Sequence, residues 1–121
     1  MDAKRILSLA GLCRRAGGII PGSDALLGAV KRGKNALPAV IVLSSEASDR
    51  TKKQITDKAV YHSIPLIVID ADPDTVGRAL GLISPCAVFG VTKRGPYEKL
   101  LEAARSEQQV KISAEDHQAI K

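Results

Sequence analysis

The residues best placed to do chemistry lie in the stretch PGSDALLGAVKRG, positions 21–33. Gly22 and Ser23 offer a flexible entry and a capping hydroxyl, and Gly33 offers a stop, so the stretch reads as a helix over 23–32. Asp24, Gly28 and Lys31 then fall at i, i+4 and i+7, on one helical face. That face is not apolar, which sets it apart from a core stripe. A helix start presents unpaired N–H groups and the positive end of the helix dipole, a natural seat for a phosphate. Gly28 would let a ligand backbone come close, and tight helix packing would use the same property. Lys31, with Arg14, Arg15 and Lys34, would supply phosphate charge. Solvated surface cations are the plain alternative for all four.

Charge supports a phosphate-facing surface. The formal net charge is +5. Residues 1–34 carry seven bases (Lys4, Arg5, Arg14, Arg15, Lys31, Arg32, Lys34) against Asp2 and Asp24, so this first quarter holds the whole excess. A basic patch of that kind fits nucleic acid. Aromatic residues make up only 2% of the chain, which argues against binding by base-stacking platforms.

Reactive constellations are lacking. His62 and His117 read as surface residues, one at a helix end and one in the tail. No Cys/His cluster has metal-ligand spacing, and neither nucleotide-binding glycine motif follows a strand. The sequence GVTKRG at 90–95 lacks the glycine spacing of a phosphate loop and reads as a strand end and turn. Asp70, Asp72 and Asp74 could face a divalent cation, but they read better as acids dressing a helix N-terminus. Cys13 and Cys86 each sit among apolar neighbours and read as buried small hydrophobes, with a disulfide possible but not required. These observations predict no catalytic residue, no metal and no cofactor. No apolar run approaches the roughly 18 residues that span a bilayer, and no signal peptide is visible, so the expected location is cytoplasmic.

The elements that must position these residues follow from periodicity. Ile6, Leu9, Ala10 and Cys13 form the apolar stripe of a first helix over 3–16, ended by Gly17-Gly18. Ile19-Ile20 is a very short strand. The run AVIVL at 39–43 lacks polar alternation, as does 66–69, and each reads as a strand covered on both faces. Ser48 caps a helix over 49–62, and Asp72-Pro73 opens another over 73–80. A strand at 87–91 and a helix over 96–107 complete the pattern, with Ser113 a weak cap for one more turn. The expectation is an α/β fold, a three-layer α-β-α sandwich around a four-stranded mixed sheet. Residues 1–105 form one domain and 106–121 a polar tail.

Several segments carry a resemblance. LAGLCRRAG at 9–17, ASDRTKKQITDK at 47–58, Ile64-Pro65-Leu66 and GRALGLISPC at 77–86 occur in the order found in the ribosomal protein L-seven-Ae / L-thirty-e family. The chain resembles its short bacterial stand-alone members over roughly residues 3–104. That resemblance implies the binding of RNA kink-turns, internal loops with tandem sheared G·A pairs. The family motif at the second helix is Gly-x-Asn-Glu-x-x-Lys. Here Gly22 matches the glycine, while Asp24, Ala25 and Gly28 occupy the three polar positions. A sheared pair offers guanine O6 and N7, both acceptors, and none of these three side chains can donate to them. The resemblance also implies RNA contact from the loop Leu82, Ile83 and Ser84, whose apolar members would cover an extruded base or simply be buried. It implies contact from Ser45 and Glu46, after the AVIVL strand.

The reading with most support is a non-enzymatic RNA-binding protein of ribosomal type with weakened kink-turn recognition. Its partners would be structured RNA, ribosomal or other non-coding, and ribosome or ribonucleoprotein components, with no membrane. A second reading is a protein-interaction or regulatory module of the same fold that has lost RNA reading. A third is a small-molecule or nucleotide-binding domain, or a detached recognition domain of an RNA-modifying enzyme.

Overall fold

The computed structural model describes residues 3–33, 36–93, 96–106 and 110–111. Helix α1 covers Ala3–Arg15, β1 Ile19–Pro21, α2 Ser23–Arg32, β2 Val40–Ser44 and α3 Asp49–His62. Then follow β3 Leu66–Ile69, α4 Pro73–Ala79, β4 Val88–Val91, α5 Tyr97–Ser106 and β5 Val110–Lys111. The sheet order is β1-β4-β2-β3-β5. Only β2 and β3 run parallel, with Ile41 opposite Leu66, and α3 makes the crossover that a parallel pair requires. The other pairs are antiparallel, so the sheet is mixed.

The four strands read from the sequence form this sheet, and β5 adds a fifth at the open edge of β3. Two residues cannot display a period. Their pairing is decided by the unfilled N–H and C=O groups of the β3 edge. The rest of the stretch read as a polar tail, with Ser113 and His117, lies outside the described residues.

Strand side chains alternate between two cores. Val40, Val42, Ile67, Ile69, Phe89 and Val91 face α1, α4 and α5. Ile41, Leu43, Leu66 and Val88 face α2 and α3. Every residue of β2 and β4 is buried, which is why those runs carry no polar alternation. This is the three-layer sandwich the sequence implies.

Glycine sets how closely α2 sits on the sheet. A Cβ on Gly90 would stand 2.7 Å from Leu26 Cδ1 and 3.0 Å from Pro38 Cβ. Its absence lets Leu26, fully buried, press directly on β4. Burying such a side chain contributes about 1.5–3 kcal/mol. That contact fixes the height of α2, and with it the groups α2 presents.

Both cysteines are free and buried in the first core. Desolvation pushes each thiol above its ordinary range. The thiolate is the reactive form. Neither cysteine is therefore expected to react with a disulfide reagent at neutral pH in the folded protein, and both should react once it unfolds. A thiol that labels rapidly in the native state would contradict this.

Candidate nucleic-acid interface

The N-terminus of α2 lies at one end of the sheet. Gly22 leaves β1 at φ 87°, a left-handed geometry that favours glycine, and its N–H donates to Val88 C=O at 2.8 Å. Gly22 is itself the N-cap, and no side chain among the described residues caps the helix. Ser23 is thus the first helical residue, and its reading as the capping hydroxyl is corrected. Glycine at the cap leaves the first-turn N–H groups without a side-chain acceptor, so they remain available to an anion. Asp24 sits in that first turn and already offers a negative charge to the dipole. It would repel a phosphate placed beside it. Gly33 ends α2 at φ 98°, as expected.

Among the described residues, three grooves border α2. The first, of about 410 Å³, brings together Arg14, Gly22, Leu82, Ile83 and Ser84. These five residues come from three separate segments, and the fold places them around one concavity. Leu82 packs partly on the first core, whereas Ile83 is 105% exposed at the loop tip. Burial under the sheet edge therefore explains Leu82 and not Ile83. A bare apolar side chain beside a helix N-terminus and an arginine can cover one face of a base while the cation meets its phosphate.

The second groove, of about 470 Å³, runs beside Gly22, Ser23, Asp24 and Ala25 and is closed by Thr51 of α3 and by Cys86. The third, of about 500 Å³, lies between α2 and α3 and holds Asp24, Gly28 and Lys31 on one wall. The shared face expected of these three residues is thus realised. Gly28 is not there for tight packing. A Cβ on it would find only Arg32 Nη1, at an ordinary 3.7 Å.

Other expected residues are separated from this face. Arg15 and Glu46 line a larger groove of about 800 Å³ between α1 and α4. Ser45 points its hydroxyl to Asp70 Oδ1 at 3.4 Å, on the same side. Lys4 and Arg15 on one wall there oppose Glu46, Asp70 and Asp72, so the walls offer an anion no net attraction. Asp72 is the N-cap of α4, accepting from the Thr75 N–H at 3.0 Å. Hydrogen bonds from Thr75, side chain first and then backbone, hold its carboxyl below the usual range. Of the acidic run, Asp72 caps α4, Asp74 lies in its first turn and Asp70 accepts from Ser45. Among the described residues no group of three His, Cys, Asp or Glu is placed to hold a metal ion, and no helix is long and apolar enough to cross a membrane. Lys34 lies outside the described residues.

Sequence reasoning passed over Thr51, Lys58 and His62 of α3. A signal existed. Ile55 and Ala59 are the buried positions of that helix, and Thr51, Lys58 and His62 stand at −4, +3 and +7 from Ile55. They follow the apolar stripe toward the neighbouring helix.

Comparison with known proteins bears on the fold and the family. No family model matches the chain. The RNA-binding protein YlxQ of Bacillus subtilis (strain 168) is 31% identical over 101 residues, covering 84% of this chain and 96% of that protein. The protein of the same name from Enterococcus faecium is 26% identical over 101 residues, covering 84% and 92%. A solved structure of a protein of unknown function from Bacillus halodurans C superposes with TM-score 0.69 at 34% identity, over 81% of this chain and 94% of that one. The Giardia lamblia 15.5kD RNA binding protein superposes with TM-score 0.70 at 18% identity, over 87% and 85%, a likeness of fold.

Proposed function

This chain belongs to the YlxQ family, of the ribosomal L-seven-Ae / L-thirty-e type, and on that premise we propose that it is a non-enzymatic RNA-binding protein. Its partner is structured RNA, ribosomal or another non-coding RNA, met in the cytoplasm. The observation that carries this reading is the groove where Arg14, Gly22, Leu82, Ile83 and Ser84 converge. It joins a cation, free helix-start N–H groups and an exposed apolar side chain, the three things that hold a splayed nucleotide. Recognition of a standard kink-turn is weakened, because Asp24, Ala25 and Gly28 carry no donor for guanine O6 and N7.

Affinity for ribosomal RNA, a kink-turn RNA and a fully paired duplex, measured across a salt series, tests the reading. The expected result is a log–log slope of several charges, with no nanomolar preference for the kink-turn. Arg14→Glu should weaken binding by about tenfold or more, on the order of 1.4 kcal/mol. Arg15→Glu, on the other groove, should change it far less. Flat, negligible binding to all three RNAs would favour the protein-interaction module instead. Nanomolar, sequence-dependent kink-turn binding would refute the weakened recognition.

A further inference from the structure

The groove between α2 and α3 joins Asp24, Gly28 and Lys31, read from the sequence as candidate RNA contacts, to Lys58 and His62, which no motif of the chain assigns to a ligand. Lys31 closes it from α2, and Lys58 and His62 close it from α3. Lys31 and Lys58 are both exposed at its rim. Arg32 reaches back along α2, its Nη1 lying 3.7 Å from the point where a Gly28 Cβ would sit. The floor at Gly28 has no side chain, and the opening of about 500 Å³ exceeds what one phosphodiester needs. Lys31 and Lys58 therefore face one slot whose lining includes the bare backbone of Gly28 beside Leu27 and Val30, with the Arg32 guanidinium next to Gly28. The single acid, Asp24, stands two turns away from Lys31, at the opposite end of α2. The slot thus offers a second seat for a phosphate beside Lys31, away from the charge of Asp24 in the first turn of α2.

On the premise that the chain binds RNA, we infer that this slot holds a backbone phosphate of the RNA, clasped by Lys31 and Lys58 over Gly28, with Arg32 and His62 at its edges. A phosphate needs charge and access but no base reading. The slot supplies both, and it binds the RNA without the polar readers that α2 lacks. A ring also stands beside it. Tyr61, 81% exposed, meets the His62 ring edge-on at 4.8 Å between ring centroids.

The test uses the full chain and the same three RNA probes. Lys58→Ala should weaken binding roughly three- to tenfold and lower the salt slope by about 0.7–0.9, the share of one phosphate contact. Gly28→Glu, which places a carboxylate in the slot, should weaken it further. Lys99→Ala on α5, in the opposite layer, is the control and should leave affinity and slope unchanged. Thermal melts of each variant separate a binding effect from a folding one. If the parent binds and Lys58→Ala matches it in affinity and slope, the slot is not a phosphate site, though RNA binding stands. If Lys99→Ala weakens binding as much as Lys58→Ala, net charge explains both and the slot is likewise overturned. If the parent binds none of the RNAs in a salt-dependent way, the RNA reading falls and the slot's ligand falls with it.

Discussion

Restoring the three missing polar readers, Asp24→Asn with Ala25→Glu and Gly28→Lys, is expected to raise affinity for a standard kink-turn RNA by about 100-fold. The estimate follows from base contacts worth about 1–3 kcal/mol of discrimination each, at about 1.4 kcal/mol per tenfold. Asparagine brings an amide donor where Asp24 has only acceptors, and removes a charge that repels phosphate. Lysine adds a cation above an open backbone, since a Cβ at Gly28 meets nothing closer than Arg32 Nη1 at 3.7 Å. Asp24 and Ala25 are exposed, so neither change disturbs the core. Glutamate in the first turn suits the helix dipole, and replacing Gly28 inside a helix relieves an entropic cost of about 0.5–1 kcal/mol. The triple variant should therefore melt no lower than the parent. Binding isotherms on a kink-turn RNA and on a duplex decide the matter. Equal gains on both would mean that added charge, not base reading, did the work. No gain on the kink-turn would mean that the 81–86 loop no longer presents the RNA to α2 in the family's geometry.

The second large effect is expected at Gly77 in α4. A Cβ there would overlap the Ser84 carbonyl oxygen and come within 3.3 Å of Pro85 Cα. Both neighbours are backbone of the loop that carries Leu82, Ile83 and Ser84. That loop is tied down nearby, with Leu82 N–H donating to Gly77 C=O at 2.8 Å and Cys86 N–H donating to Pro73 C=O at 2.9 Å. The added methyl cannot be absorbed by a side-chain rotation, so either the loop moves or the helix does. Overpacking of this kind costs about 1–3 kcal/mol, a loss in Tm of roughly 3–15 °C for a domain of this size. Gly77→Ala should also weaken RNA binding more than its stability loss explains at a temperature where the variant is folded, because the groove beside Arg14 loses its shape. Gly28→Ala is the matched control and should raise Tm slightly. A Gly77→Ala variant that melts like the parent and binds RNA equally well would sink the claim that α4 sets the loop.

These two glycines look alike in the sequence, and each lies inside a helix. Their opposite roles come from what approaches them: the loop backbone at Gly77, only the end of the flexible Arg32 side chain at Gly28. Spacing along one chain carries no information about that.

Most of what is determined locally was legible in the residues, the cap of α2 at Gly22 rather than Ser23 being the exception. The caps at Ser48 and Asp72, the stops at Gly17 and Gly33, and the buried runs of β2 and β3 depend on neighbours within a few positions. The alternation of helices with doubly covered strands also leaves few ways to stack the layers. The sequence by itself therefore determined the α/β sandwich, its doubly covered strands and the polar face of α2. It could not determine which cations share a groove. Arg14 and Arg15 are adjacent, yet helical rotation turns one toward Ile83 and the other toward Glu46. Lys58 and Lys31 lie far apart in the chain and meet because α3 packs beside α2. The two-residue β5 exists only because β3 offers it an open edge. Local chemistry sets where each element starts, stops and buries a face. Only the packing of those faces, decided by contacts between distant residues, makes separate charges into one surface.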